Sequence, residues 1–321
     1  MYDEYIKAGK IAASVRKAAV KRITSGMKVI DLIEWVEAEI KRKGAGLSFP
    51  CNISINDITS HYTSPPGDDT IFCNGDIVKI DLGTHIDGYI ADTAETVIVT
   101  GDNIEFSSNY SMPGRLDDGN PQITTQDFEE RVELIEASRH ALTNAISIIH
   151  DGITLDKISS ELEKTIQSHG FNPIGDLTGH SISRYKLHSG LQIPSVSTGD
   201  AHILHEGDVI AIEPFVTSGV GLVETLPQHY IYSYLRTRPF GESEASKLLK
   251  YIQENNMYFP FTKRYFLDLY DENKLNQVMH PLITSRAIFP YKLLREASGA
   301  MNAQCEHTII VEKEGCIVTT L

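Results

Sequence analysis

Apolar residues recur at helical spacing behind polar caps in several stretches of the chain. Phe128, Val132, Ile135, Leu142, Ile146 and Ile149 follow Asp127, with Glu130 three residues further on, which predicts an amphipathic helix capped at Asp127. The pattern also repeats itself. One copy reads helix, Gly26, helix, Gly44, then Phe49-Pro50; the other reads helix, Gly152, helix, Gly170, then Asn172-Pro173, with 18 residues between the glycines in both. Gly44 and Gly170 sit where left-handed helix ends belong. Strands follow in the same order. Gly75-Asp76-Ile77-Val78-Lys79-Ile80-Asp81 matches Gly207-Asp208-Val209-Ile210-Ala211-Ile212-Glu213, each a Gly-Asp turn, a β-branched run and a carboxylate. The offset drifts from 126 to 132 between the copies, as loop changes between duplicated halves would produce. The pattern predicts an α+β protein whose two similar halves share one sheet.

Two segments break this symmetry. Residues 101–126 have loop composition, with Pro113-Gly114 and Asp117-Asp118-Gly119-Asn120-Pro121, and predict a mobile excursion. Residues 228–291 read as an inserted helical subdomain, with helices near 242–254 and 272–285 and an aromatic turn, Tyr258-Phe259-Pro260-Phe261, between them.

Composition narrows the function. The chain has 321 residues, 41% hydrophobic and 22% charged, which excludes a disordered or fibrous protein. Its net charge of −14 argues against nucleic-acid and anionic-membrane partners. No apolar run approaches the ~20 residues of a membrane span, and Met1-Tyr2-Asp3-Glu4 does not open a signal peptide. Cys51, Cys73, Cys305 and Cys316 form no Cys-x-x-Cys pair and read as reduced thiols of a cytosolic protein.

The segment Lys79 to Thr93 carries the first candidate chemistry. Strand residues flank Asp87-Gly88, which predicts a β-hairpin. Asp81 and Asp92, 11 apart, are expected to face each other across it with Cβ atoms ~5 Å apart. Two opposed buried carboxylates repel, and a divalent cation relieves that repulsion. Solvent exposure or separate hydrogen bonds would also relieve it. Three more ligand-type residues stand at strand-like places: Glu213 after Val209-Ile210-Ala211-Ile212, Glu306 before His307-Thr308-Ile309-Ile310-Val311, and His180 after Thr178-Gly179. Four carboxylates and one imidazole suit two metals ~3.5–4 Å apart.

With these residues in place, the sequence resembles the pita-bread metallopeptidases, in particular the type 2 methionine aminopeptidases in their compact archaeal-like form. The matching motifs are Leu177-Thr178-Gly179-His180, Arg184-Tyr185-Lys186-Leu187-His188-Ser189-Gly190, Ile193-Pro194, Ala211-Ile212-Glu213-Pro214-Phe215, Gln304-Cys305-Glu306-His307-Thr308, His61-Tyr62-Thr63, and Asp81 through Asp92-Thr93. They run from about Phe49 to the C-terminus. The resemblance implies a pita-bread fold: two pseudo-symmetric α/β halves around a mostly antiparallel sheet, in a single catalytic domain over 1–321. It implies Asp81, Asp92, His180, Glu213 and Glu306 as ligands of two divalent ions (Co, Mn, Fe or Zn), with Asp81 and Glu306 shared between them. Glu213, His188 and His61 would be catalytic. Phe49, Leu187, Phe215, His229 and Tyr291, with His61 and His188, would bind substrate.

The implied activity is removal of the initiator methionine from nascent polypeptides when the second residue is small. The implied enzyme is a cytoplasmic monomer with transient ribosome proximity and no nucleic-acid or membrane partner. Two departures stand near the site: Cys305 where the family more often has Phe, and Asn52 in place of a Gly. The alternatives are an Xaa-Pro aminopeptidase or dipeptidase of the same fold, a creatinase-like hydrolase working without metal, and a non-catalytic relative that binds ribosomes or RNA.

Overall fold

The computed structural model describes residues 2–100 and 124–321. Residues 101–123 of the expected excursion lie outside the described residues. Its last residues begin a helix instead: Thr124 is the N-cap, accepting from the Asp127 backbone N–H, while the Asp127 carboxylate accepts from the Thr124 backbone N–H. The cap thus lies three residues before the expected Asp127, because Thr124 has the extended backbone a cap requires and Asp127 closes the capping box from inside the helix.

The first half runs α1 (Tyr2–Val20), α2 (Val29–Arg42), β1 (Gly46–Leu47), β2 (Asn52–Ile55), β3 (Ile58–Ser60), β4 (Ile77–Ile86) and β5 (Tyr89–Ile98). The second half opens α3 (Thr125–Ser147), α4 (Leu155–Ser168), β6 (Asn172–Pro173), β7 (Thr178–Ser181), β8 (Gln192–Pro194), β9 (Val209–Ile212) and β10 (Phe215–Thr217). It continues with β11 (Val223–Tyr234), α5 (Glu244–Asn255), β12 (Phe261–Thr262), a 3-10 turn over Lys263–Phe266, α6 (Glu272–Thr284), β13 (Ile288–Glu296), β14 (Asn302–Gln304), β15 (Glu306–Glu312) and β16 (Gly315–Val318).

The repeat is physical. α2 and α4 are each 14 residues long, and each buries one apolar stripe: Val29, Leu32, Ile33, Val36 and Ile40 in α2, Leu155, Ile158, Leu162 and Ile166 in α4. Gly44 and Gly170 stop them at φ 84° and 82°, in the region only glycine adopts freely.

Among the described residues the main sheet has nine strands in the order β1-β4-β5-β15-β9-β7-β8, with β2 on β4 and β16 on β15. Its pairings are antiparallel. The halves join where β5 meets β15, with Ala94 opposite Glu306. Alternation sorts the two faces. Val78, Ile80 and Leu82 pack under α1 and α2, and Ile210, Ile212, Ile309 and Val311 pack under α3 and α4. Asp81, Asp92, His180 and Glu306 therefore fall on the opposite face. A smaller sheet, β12-β11-β13-β3, contributes to the walls above that face.

The helical segment follows its expected position with shifted edges. α5 and α6 fill it, but residue 228 lies inside β11 and residue 291 inside β13, which are long strands paired with each other. The helices enclose a cluster of their own, with Leu248, Ile252, Phe261, Phe266, Leu275 and Leu282. Arg264 ties this segment to the first half. Its guanidinium donates to both Glu37 oxygens at 3.0 and 3.1 Å, to Thr63 Oγ1 and to the Ser64 carbonyl.

The β4–β5 register differs from expectation. Ile86 pairs with Tyr89, so the loop is Asp87-Gly88, with φ 50° and 84°. Asp81 then opposes Ala94, and Asp92 opposes Gly83. The two aspartates are diagonal neighbours on one face rather than directly opposed, because the two positive-φ residues centre the turn one position later than a midpoint between Ile86 and Asp87.

Candidate active site

Two adjacent rows cross the sheet's open face. One holds Asp81, Ala94 and Glu306; the next holds Gly83, Asp92, Thr308, Ala211 and His180. Glu213 stands just beyond the end of β9. His180 Nε2 lies 3.6 Å from both Asp92 Oδ2 and Glu213 Oε1. Ligand atoms of Asp92, His180 and Glu306 all fall within 4.8 Å of one another. Asp92 is the aspartate beside His180, and the register sets Asp81 in the neighbouring row.

Local contacts hold each group. Thr308 clamps the Asp92 backbone from both sides, its Oγ1 accepting from the Asp92 N–H at 2.7 Å and donating to the Asp92 carbonyl at 2.9 Å. Thr93 Oγ1 donates to the Glu306 carbonyl at 2.9 Å, and Arg16 donates to that same Thr93 oxygen. Gly179 is required before His180, since a Cβ there would collide with the Ala211 carbonyl of the adjacent strand. Gln304 Nε2 donates to Glu213 Oε2 at 3.3 Å. Gln304 was not singled out from the sequence as a site residue, although its place two positions before Glu306 on the same strand-like run was the available signal.

The electrostatics are unusual for a protein interior. Asp92 and His180 are 4% exposed and Glu306 is 1% exposed. Burial pushes the Asp92 carboxyl up to about 7. Burial, and then the neighbouring carboxylates, push Asp81, Glu213 and Glu306 well above the usual range. Burial lowers His180 to about 4, so its imidazole is neutral at neutral pH. Asp81 Oδ1, Asp92 Oδ1 and Glu306 Oε1 are buried without a hydrogen-bond partner. Unpartnered buried carboxylate oxygens clustered around a neutral imidazole have the donor chemistry of a divalent-cation site.

Two histidines flank the cluster. His188 meets His180 edge-to-face, ring centroids 4.3 Å apart. Burial, then His180 and His61, lower it to about 4. His61 has a left-handed backbone, φ 68°, and its Nδ1 donates to the Lys292 carbonyl at 2.9 Å, which leaves Nε2 as an acceptor. Burial lowers its pKa as well.

A cavity of about 320 Å³ opens over the cluster. All five ligand-type residues line it, as do His61, His188, Phe49, Leu187, Phe215 and Tyr291. His229 does not line it, contrary to expectation. The strand is irregular between Thr225 and Ile231, where Pro227 interrupts it, and Ile231 opposite Tyr291 takes the wall position. Gly83 leaves room for Phe49, whose ring a Cβ would strike. The second hairpin reaches the first: Tyr185 N–H donates to the Gly88 carbonyl and Arg184 Nε to the Asp87 carbonyl, each at 2.8 Å, and this fixes the His188 loop. Of the two departures, Asn52 lines the cavity. Cys305 points to the opposite face, where Ser138 Oγ donates to its sulfur at 3.1 Å.

This fold and cluster are those of a metallopeptidase. The chain belongs to metallopeptidase family M24, whose family model matches residues 3–233, and membership implies use of divalent metal. Over 320 residues it is 47% identical to the methionine aminopeptidase of Methanothermobacter thermautotrophicus (strain Delta H), a match spanning 100% of this chain and 99% of that protein. Among solved structures it is similar to a thermophilic Arx1, with TM-score 0.79 at 19% identity, covering 99% of this chain and 89% of the other. It is also similar to the methionine aminopeptidase of Thermotoga maritima, with TM-score 0.67 at 23% identity, covering 99% and 95%. These two likenesses show the pita-bread fold. No helix among the described residues is long and apolar enough to cross a membrane.

Proposed function

We propose that this chain is a methionine aminopeptidase that removes the initiator methionine from nascent polypeptides whose second residue is small. The observation that carries the reading is the meeting of five ligand-type side chains from both halves beside an apolar cavity. Relatives named methionine aminopeptidase, matched along their whole length, support it. Asp81, Asp92, His180, Glu213 and Glu306 would hold two divalent ions from among Co, Mn, Fe and Zn. Asp92, His180 and Glu306, whose ligand atoms lie within 4.8 Å of one another, would form the centre of that set, with Glu213 beside His180 and Asp81 in the neighbouring row. When bound, such ions supply a water acidic enough to act as nucleophile near neutral pH.

The chain's own groups do the rest. Phe49, Leu187, Phe215, Ile231 and Tyr291 form an apolar wall suited to an unbranched thioether. Glu213, held by the Gln304 Nε2 donation to its Oε2, takes the proton from the attacking water and returns it to the leaving nitrogen. Neutral His188 donates to the oxygen of the scissile carbonyl as negative charge develops there. His61 Nε2 accepts the amide N–H of the second residue and orients the chain.

The whole of 1–321 acts as a single catalytic domain, and 228–291 is an insertion that contributes Ile231, Pro260 and Tyr291 to the pocket. By its likeness to the methionine aminopeptidases the enzyme would be a cytoplasmic monomer that visits the ribosome transiently, and a charge of −14 disfavours a nucleic-acid partner. The test is turnover after metal loading. Met-Ala-Ser should be cleaved at its first bond, whereas Xaa-Pro dipeptides should not. Preferential cleavage of the dipeptides would replace this reading.

A further inference from the structure

We infer that Asn52 is a substrate-binding residue whose side-chain oxygen receives an N–H of the substrate's α-amine, an inference that rests on the aminopeptidase reading above. Cys51 and Ile53 on either side of Asn52 face the core under α1 and α2, so alternation turns Asn52 to the open face. It lines the cavity and is 6% exposed. Its Nδ2 donates to the Pro50 carbonyl at 3.0 Å. That bond uses the amide nitrogen and leaves Oδ1 as the free acceptor of the side chain. Oδ1 is buried and has no hydrogen-bond partner.

The register supplies the second half of the argument. Asn52 stands directly opposite Asp81 across β2 and β4. Asp81 Oδ1 is likewise buried and unpartnered. Asp81 belongs to the proposed metal-ligand set, so Asn52 Oδ1 is the unmatched neutral acceptor beside that set, complementary to a group with N–H bonds to give. An amide oxygen is neutral, so it accepts from an amine without adding to the negative charge of the four carboxylates. A carboxylate at position 52 would add to that repulsion, and an aliphatic residue would leave one amine N–H unmatched.

Asn52 Oδ1 therefore selects for a free amino terminus, the feature that separates an exopeptidase substrate from an internal peptide bond. A peptide with a blocked or absent α-amine would bury Asn52 Oδ1 without a partner and would bind less well.

The experiment compares wild type with Asn52→Ala and Asn52→Ser on Met-Ala-Ser. Competitive inhibition by methionine and by its des-amino analogue, 4-(methylsulfanyl)butanoate, is measured alongside, with metal content and melting temperature of each protein. Wild type should bind methionine in preference to the analogue. Asn52→Ala should raise KM and the methionine Ki about tenfold, equivalent to about 1.4 kcal/mol, with kcat within about threefold and the analogue's Ki within about twofold. Asn52→Ser keeps a polar side chain but withdraws the oxygen, so it should behave the same way and stands in if Asn52→Ala does not fold. Equal weakening of both inhibitors, unchanged KM, or metal content reduced by half or more would overturn the inference. A wild type that cleaves Met-Ala-Ser while the variants match it defeats only the role of Asn52. A wild type inactive on Met-Ala-Ser defeats the aminopeptidase reading and this inference with it.

Discussion

The two halves of the molecule repeat one another bond for bond. Gly26 N–H donates to the Phe72 carbonyl and Gly152 N–H to the Leu204 carbonyl, both at 2.8 Å; Val29 N–H donates to Thr70 and Leu155 N–H to His202, both at 2.9 Å. Asp76 accepts from the Cys73 N–H at 2.7 Å and Asp208 from the His205 N–H at 2.8 Å. They diverge after the repeated Gly-Asp turn. In the first half β4 turns straight back as β5, so Asp81 and Asp92 are presented by one local hairpin. In the second half β9 does not turn back locally. Its partner β15 arrives only after β10 to β14 and the helical segment, so Glu213 and Glu306 meet across a long excursion. A local hairpin is a self-sufficient scaffold for two ligands. The opened copy gives up that locality and gains a pocket wall, because Ile231, Pro260 and Tyr291 all come from the intervening chain.

The comparison can be broken at its centre first. Asp92→Ala from the hairpin half and Glu213→Ala from the opened half should each lower kcat/KM on Met-Ala-Ser by at least about 10³-fold and reduce metal content, since a shared cluster fails from either side. A variant of one half that kept wild-type rates would dissolve the idea of a joint site.

The next largest effect concerns the tie between the excursion and the first half. Arg264→Ala would remove the only cation paired with Glu37 among the described residues, leaving a 7% exposed carboxylate with only the Tyr265 hydroxyl and the Cys51 N–H, and should cost about 3 kcal/mol in denaturant unfolding. A loss under about 1 kcal/mol would mean that the helical segment stands on its own packing.

Metal addition sharpens the picture through pH. Asp92 rises from an unfolded value near 3.9 to about 7 in the metal-free fold. A carboxyl raised on folding stabilises the fold at low pH and loses that contribution as pH climbs through about 7. His180, held to about 4, is already neutral at pH 5 and takes no part in the difference. Divalent metal needs the ionised carboxylates, so it should raise the melting temperature more at pH 8 than at pH 5 in parallel scans. An equal rise at both would place the metal elsewhere.

The smallest effect is expected at Cys305, which faces α3 on the far side of the sheet from Glu306. Cys305→Ala should cost about 1 kcal/mol in stability and leave kcat/KM unchanged. A kinetic change would show that the sheet transmits packing between its faces.

Much of the site was legible because it follows alternation and spacing. The repeat, the glycines at helix ends, and the carboxylates after two Gly-Asp runs are local signals, and they located Asp81, Asp92 and Glu213. The errors came where register or a bulge decides. The Asp87-Gly88 turn moved the pairing by one position per strand and set Asp81 and Asp92 diagonally instead of directly opposite. The irregularity near Pro227 removed His229 from the pocket and put Ile231 there. The cap at Thr124 likewise depended on backbone conformation rather than residue type.

Sequence alone determined which residues could serve as ligands and which face of each element was apolar, because residue chemistry and periodicity of 2 or 3.6 are written in the chain. Tertiary structure alone decided which carboxylates stand beside His180, which side chains form the pocket, and that Asn52 and Asp81 share a face with two unpartnered oxygens. Those facts depend on strand register and on the return of β15 to β5 and β9, contacts between residues far apart in sequence whose pairing no local pattern specifies.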